Sequence, residues 1–344
     1  MLTERFFPEI GGVEKHSLEI SKRIVRDGHK LTIITRKTPK SANKYEKIDG
    51  INIVRIAANG YLPTWLNLSK FCMNFSRYDI IHCHDFVTFY WIFPFIFFNR
   101  NLYITFHGFE RYPIPKIYII LRKIAEIFTK RNICVGRFIS SYYKTKPNYI
   151  TYGGIDLNEK ENLITTKSNF NTQNLKKLLF IGRLEKDTGI LYYIEALKIL
   201  KFEYRLNLEL DICGEGRLEN MIRSYSKKNN LTVNFNGFIS NLGKFFEKSG
   251  IIFSSSYLSI IESLYRKKLV ISVYHNKLKE DYLKLSPFSK YIIVCKNSIE
   301  IAESIFNIIN NNIIYEEKIE QGYLFAKQHT WNDVYKLYKE LWKL

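Results

Sequence analysis

Short runs rich in β-branched and aromatic residues recur along the chain, each followed by a stretch long enough for a helix or a long loop. This alternation leaves few folds open. In the first half the runs are KLTIIT (30–35), INIVRIA (51–57), YDIIHCHD (78–85), NLYITFHG (101–108), NICVG (132–136) and NYITYGG (148–154). The sequence then turns polar between 157 and 177, as an interdomain connection does. The rhythm restarts with KLLFIGRL (177–184), LNLELDICG (206–214), LTVNFNG (231–237), GIIFSSS (250–256), LVISVY (269–274) and YIIVCK (291–296). Near-continuous apolar strands separated by helices predict parallel sheets covered on both faces, so the expected class is α/β with two Rossmann-like doubly wound domains. At 344 residues the chain has material for two cores. The expected boundaries are a first domain over 1–160, a linker over 161–176 and a second domain over 177–328. An aromatic-rich helix at 329–344 is expected to pack back on the first domain.

Near the amino end, FFPEIGGVEKHSLEISKRIVRDGHKLTIIT (6–35) places Gly11 and Gly12 at the mouth of a helix. The glycines are expected to allow a turn where a Cβ would clash, leaving the N–H groups of the first helical turn aimed at a phosphate or diphosphate. Val13, Ser17, Ile20 and Ile24 share one helical face, and Gly28 stands where a C-terminal cap belongs. Ligands of doubly wound sheets bind beyond the carboxyl ends of the strands. The informative residues are therefore those just after each strand: Gly11 and Gly12, His107 and Gly108, Arg183, Gly214 to Gly216, and Ser256 to Glu262.

Fifty-two Lys and Arg against 33 Asp and Glu give a net charge of +19, which predicts attraction to anions: phosphorylated small molecules, an anionic membrane surface or nucleic acid. No recognisable nucleic-acid reading module accompanies the charge, so nucleic acid is set aside as a partner. The five cysteines are scattered without CxxC spacing, which argues against a disulfide framework or zinc site and fits a reducing cytoplasm. The opening MLTERFF carries no signal-peptide pattern. The run FVTFYWIFPFIFF (86–98) is too short to span a bilayer and contains Pro94, so it reads as a buried or membrane-facing helix. His82 and His84 flank Cys83. The expectation is that they point to opposite faces of a strand as local packing contacts, and no metal site is assigned.

FFPEIGGVEKH, HCHD (82–85), TFHGFE (105–110), YGGID (152–156), IGRLEKDTG (181–189), DICGEGRLENMI (211–222), NFNGFIS (234–240) and SSSYLSIIESL (255–264) occur in an order that resembles the retaining glycosyltransferases of family 4. The likeness covers nearly the whole chain. It implies the GT-B architecture, two Rossmann-like domains facing across a cleft. It also implies transfer of a sugar from a nucleotide diphosphate sugar, UDP- or GDP-linked, with the anomeric configuration kept and no bound metal or cofactor beyond that co-substrate. Compared with such relatives, the first strand within MLTERF is short.

The resemblance also assigns residues. Glu262 matches the second acid of the EX7E motif and is expected on the ribose hydroxyls. Ser259 and Glu262 also satisfy the S-x-x-E capping box, with that helix start facing the diphosphate. The first acid of the motif falls on Ser254. Arg183 is expected to offer a forked cation to the diphosphate. The lysine expected at position 188 is Thr188, with Lys186 nearby as a substitute. His107 is expected beside the transferred sugar, by hydrogen bonding or through its backbone carbonyl. Gly214, in a Gly-x-Gly with Gly216, is expected to let the backbone approach the donor. Phe238 and Ile239 are expected to hold the base, and Ser259 and Ile260 to line the diphosphate. His16 and Glu14 either touch the acceptor or face solvent.

The resulting expectation is a cytoplasmic glycosyltransferase, peripheral at the inner face of a membrane, acting on a glycan or lipid-linked acceptor. Ser254 and Thr188 motivate a rival: a catalytically impaired relative that binds sugar nucleotides or serves as a scaffold subunit.

Overall fold

A computed structural model describes residues 1–9, 11–39, 43–72, 75–98, 101–108, 111–157 and 172–344. The chain forms two compact units, Met1–Gly153 with Trp331–Leu344, and Gly154–Thr330. Of the 161–176 connection, 161–171 lie outside the described residues. Thr172–Leu175 is a short helix whose Leu175 joins the second core.

The first unit holds an eight-stranded sheet: β1 (Leu2–Thr3), β2 (Thr32–Arg36), β3 (Tyr45–Ile48), β4 (Ile51–Ile56), β5 (Ile81–His84), β6 (Leu102–Phe106), β7 (Arg131–Val135) and β8 (Tyr149–Thr151). Their order is β3-β4-β2-β1-β5-β6-β7-β8. All neighbours run parallel except β3, an antiparallel edge strand that pairs with β4. That hairpin turns at Asp49 and Gly50, with φ of 48° and 82°, the conformation that Asp-Gly favours between strands.

Helix Gly12–Arg26 ends as expected. Gly28 takes φ 86° and donates to the Val25 carbonyl while His29 donates to that of Ile24, a Schellman closure. Helix Trp331–Trp342 belongs to this unit and buries Trp331, Val334, Tyr335, Tyr338, Leu341 and Trp342 along one stripe. Arg23 of the first helix donates to Asn332 Oδ1 at 2.8 Å, tying the two ends of the chain together. The run 86–98 is half core: Phe86, Phe89, Trp91 and Ile92 are buried, whereas Phe97 is 84% exposed.

The second unit is built on β9 (Lys177–Ile181), β10 (Glu209–Cys213), β11 (Thr232–Phe235), β12 (Ile251–Phe253), β13 (Leu269–Val273) and β14 (Ile293–Cys295). The order is β11-β10-β9-β12-β13-β14, parallel throughout. Strand order reverses between β9 and β12, and at such a switch point the connecting helices depart to opposite faces and leave a crevice beyond the strand ends. Leu178, Phe180, Leu210, Ile212, Ile251, Phe253, Leu269 and Ile271 carry the core beneath it.

Candidate functional site

In the second unit, Arg183 follows β9 at the switch point. The loop carrying it is held by two backbone bonds, Gly182 N to Cys213 O at 3.3 Å and Leu184 N to Glu215 O at 2.9 Å. A Cβ at Gly214 would collide with the Gly182 carbonyl, and one at Gly216 with the Leu184 backbone. The Gly-x-Gly therefore serves the close approach of two loops of this chain. The Arg183 side chain, 68% exposed, pairs with Asp187 at 2.7 Å. Thr188 Oγ1 donates to the carbonyls of Arg183 and Glu185 at 2.9 and 2.8 Å, so the position expected to carry a cation closes a turn instead. Lys186 is exposed and makes no ion pair among the described residues.

After β12 the chain enters helix Tyr257–Tyr265 with Ser256 as N-cap. Ser259 is thus inside the helix, which overturns the Ser259–Glu262 capping box. Its hydroxyl instead meets those of Ser254 and Ser256 and reaches the Ser256 carbonyl at 3.2 Å. Ser254 is fully buried in this hydroxyl cluster, and its carbonyl accepts from Ser272 Oγ at 2.5 Å. Ile260 is also fully buried, with its N–H bonded to the Ser256 carbonyl at 3.0 Å. Glu262 keeps 27% of its side chain exposed, with Arg266 3.8 Å away. Phe238 is 47% exposed, an open ring next to the loop after β10, and its N–H donates to Glu215 Oε1 at 3.3 Å. Ile239 is half-buried.

Two residues of this neighbourhood are absent from the sequence reading. Lys279, in helix Lys277–Lys284, is 7% exposed and donates to the Ser255 carbonyl at 2.6 Å. Burial pushes its pKa down to about 8, with Asp187 opposing that shift and Arg183 reinforcing it. His275 follows β13, its pKa lowered by burial and by Lys279, and raised by Asp187. The available signal was Asn276, whose side chain accepts from Lys279 N at 2.8 Å and starts that helix.

In the first unit the glycine pair behaves differently from the expectation. Gly11 is extended, at φ 178°, and nothing lies within 4 Å of a Cβ built on Gly12. The space beside Gly11 is taken by the Glu14 carboxylate, which accepts from its own backbone N–H and whose pKa is raised by burial. A carboxylate of the chain itself therefore already lies at this helix start.

His107 directly follows β6 and is 3% exposed. Its Nε2 meets His84 Nδ1 at 2.9 Å, and its N–H donates to Asp85 Oδ2 at 3.3 Å. His82 and His84 lie on the same face of β5, their rings 5.1 Å apart, because residues two apart in a strand share a face; the expectation of opposite faces was wrong. His16, 2% exposed, joins the cluster and so does not face solvent. Burial holds all four imidazoles below their ordinary pKa, His107 at about 3 with Arg122 adding to the shift.

Neutrality fixes the tautomer of His82 at the start of one chain of contacts. Trp342 Nε1 can only donate, so His82 Nδ1 accepts at 3.0 Å. His82 Nε2 then donates to Thr105 Oγ1 at 2.8 Å, and the chain of contacts continues from Thr105 Oγ1 to the Tyr338 hydroxyl at 2.8 Å and from that hydroxyl to His16 Nε2 at 2.9 Å. Beside this chain, Arg122 is fully buried. It donates to the Gly108 carbonyl at 3.0 Å and pairs with Asp85 Oδ1 at 3.2 Å. Phe109 and Glu110, the rest of the TFHGFE segment, lie outside the described residues. Among the described residues no three His, Cys, Asp or Glu side chains are placed to hold a metal ion.

A sequence profile described as Glycosyltransferase Family 4 matches residues 10–159, and one described as Glycosyl transferases group 1 matches residues 163–325. The chain belongs to this glycosyltransferase family and has its fold, two parallel-sheet α/β domains of the GT-B class, as expected. The GalNAc-alpha-(1->4)-GalNAc-alpha-(1->3)-diNAcBac-PP-undecaprenol alpha-1,4-N-acetyl-D-galactosaminyltransferase of Campylobacter jejuni is 25% identical over 228 residues, covering 64% of this chain and 62% of that protein. The chain thus spans less than two thirds of that relative. Sucrose-phosphate synthase from Thermosynechococcus elongatus superposes with a TM-score of 0.76 at 15% identity over 99% of this chain and 97% of that one. Anabaena Alr3699/HepE, solved in complex with UDP and glucose, gives 0.76 at 14% identity over 98% and 97%. At these identities the structural likeness is one of fold.

Proposed function

We propose that this chain is a retaining, metal-independent glycosyltransferase that moves a sugar from a UDP- or GDP-sugar to a glycan or lipid-linked acceptor. The observation that carries the reading is the switch point of the second sheet. There Arg183, with its exposed guanidinium, follows β9, and helix Tyr257–Tyr265, which carries the partly exposed Glu262 in its second turn, follows the neighbouring strand β12. A forked cation and a helix N-terminus suit a diphosphate, and a carboxylate can accept from two vicinal ribose hydroxyls. The open ring of Phe238 offers a face for the base.

In the proposed reaction the bond from the sugar's anomeric carbon to the diphosphate oxygen breaks, and the acceptor oxygen bonds to that carbon on the same face. The acceptor proton passes to the leaving phosphate oxygen. Arg183 offsets the charge that develops on the diphosphate.

The relative from Campylobacter jejuni is named for an undecaprenol-linked acceptor, which supports a lipid-linked substrate here. Ile117, Ile120, Ile127 and Phe128 stand exposed on and just after helix Lys116–Ile127, close in sequence to Lys116 and Lys130. They support a peripheral position at an anionic membrane face. Among the described residues no helix is long and apolar enough to cross a membrane.

A second reading, a sugar-nucleotide-binding protein without turnover, is favoured by Ser254 and Thr188, whose side chains are committed to structure. Incubation with a panel of UDP- and GDP-sugars and lipid-linked acceptors separates the two. Acceptor-dependent release of the nucleoside diphosphate supports the enzyme, and binding with no release across the panel supports the second reading.

A further inference from the structure

We infer that Lys279 is a donor-phosphate cation, supplying from helix Lys277–Lys284 the positive charge that position 188 does not carry. The inference rests on the glycosyltransferase reading above. Thr188 is occupied in closing the turn after Arg183, and Lys186 is exposed and forms no ion pair among the described residues. Lys279, by contrast, is a cation of this neighbourhood that is drawn inward, 7% exposed. Its ammonium donates to the carbonyl of Ser255, next to the Ser256 N-cap of helix Tyr257–Tyr265, and lies 4.1 Å from the centre of the Tyr282 ring. Tyr282 in turn accepts from Tyr257 N, the first residue of that helix, at 3.1 Å.

The ammonium has three N–H donors, and one carbonyl takes one of them. Among the described residues no carboxylate forms an ion pair with it. Asp187, the acidic group that acts on it from the loop after β9, is held by Arg183. His275 acts on it from the end of β13, and Arg183 adds a further positive charge. A buried ammonium, a guanidinium and the positive end of a helix thus share one neighbourhood, and the carboxylate that acts on the ammonium there, Asp187, is already shared with Arg183. A bound diphosphate would offset all three at once.

The test uses calorimetric titration of the full chain with UDP and GDP, and with the corresponding monophosphates. Lys279→Gln keeps a donor for the Ser255 carbonyl and removes the charge; Lys279→Met serves where that variant does not fold. The expected result is a loss of tenfold or more in affinity for whichever diphosphate the wild type binds, with the monophosphate affected less. Lys279→Arg should stay within threefold of wild type. Thr188→Lys added to Lys279→Gln should recover most of the loss, which a purely structural role of Lys279 does not predict. Diphosphate affinity within twofold of wild type in Lys279→Gln, or equal losses for mono- and diphosphate, overturns the inference while leaving the glycosyltransferase reading intact. A wild type that binds neither diphosphate overturns that reading, and this inference with it.

Discussion

Asp85 shows how much local strain this chain accepts around His107. At φ 72° and ψ 161° it occupies a region that costs a non-glycine residue about 1–3 kcal/mol. Its carboxylate then accepts from Phe86 N and His107 N and pairs with the buried guanidinium of Arg122. Arg122 also lies over the rings of Phe86, Phe106 and Tyr143, at 5.2, 5.3 and 4.2 Å. Arg122→Met should therefore lower stability by about 1–3 kcal/mol in urea unfolding, because the partly exposed Asp85 and the Gly108 carbonyl lose a charged hydrogen-bond partner. A change below about 1 kcal/mol would show that the pair does not hold this loop. At this scale the sequence was partly legible. His107 and Arg183 stand just after strand ends, where the alternation of elements put them, whereas Glu262 lies in the second turn of its helix and not at its start. Arg122 and Lys279 lie within helices; Asn276 marks the start of the Lys279 helix, but it does not tell that side chain from a surface cation, and only the tertiary packing buries the two.

Among elements, the helix Trp331–Trp342 bears most directly on the first unit, since Tyr338 and Trp342 supply two of the polar groups in the histidine chain. Tyr338→Phe leaves His16 Nε2 and Thr105 Oγ1 without the hydroxyl that joins them in a buried setting. The expected cost is about 1–3 kcal/mol, read as a lowered urea midpoint with unchanged secondary structure by circular dichroism. An unchanged midpoint would mean the hydroxyl bridge contributes nothing net. The helix itself was legible from its aromatic spacing, and so were the parallel strands, whose apolar runs are long and continuous. Strand β3 was not, because YEKI is short, polar and at an edge; the Asp49-Gly50 pair was the signal for it. The capping box failed for a related reason. Ser256 and Ser259 both suit a helix start, and the hydroxyl cluster around Ser254 and Ser272 selects the earlier one.

For the molecule as a whole, the four neutral histidines make stability depend on pH. Their pKa values in the folded chain lie below the ordinary 6.5, so as pH falls below about 7 the unfolded chain binds protons that the folded chain refuses. Stability is therefore intact above the ordinary histidine pKa and lost progressively below it, by up to about 1.4 kcal/mol per pH unit for each histidine. The loss continues down to the folded value, which for His107 is about 3. Urea midpoints at pH 7.5 and 5.5 should differ clearly, with the lower value at pH 5.5, and equal midpoints would contradict the burial of this cluster.

The account as a whole depends on the second unit holding a nucleoside diphosphate at the β9–β12 switch point, and titration of the wild type and Glu262→Ala with UDP and GDP tests this most directly. The wild type should bind one of the two. Loss of the Glu262 carboxylate should weaken that binding about 10- to 100-fold, the worth of a charge-assisted hydrogen bond to ribose. A wild type that binds neither nucleotide, or a Glu262→Ala variant that binds as tightly as wild type, would contradict the account.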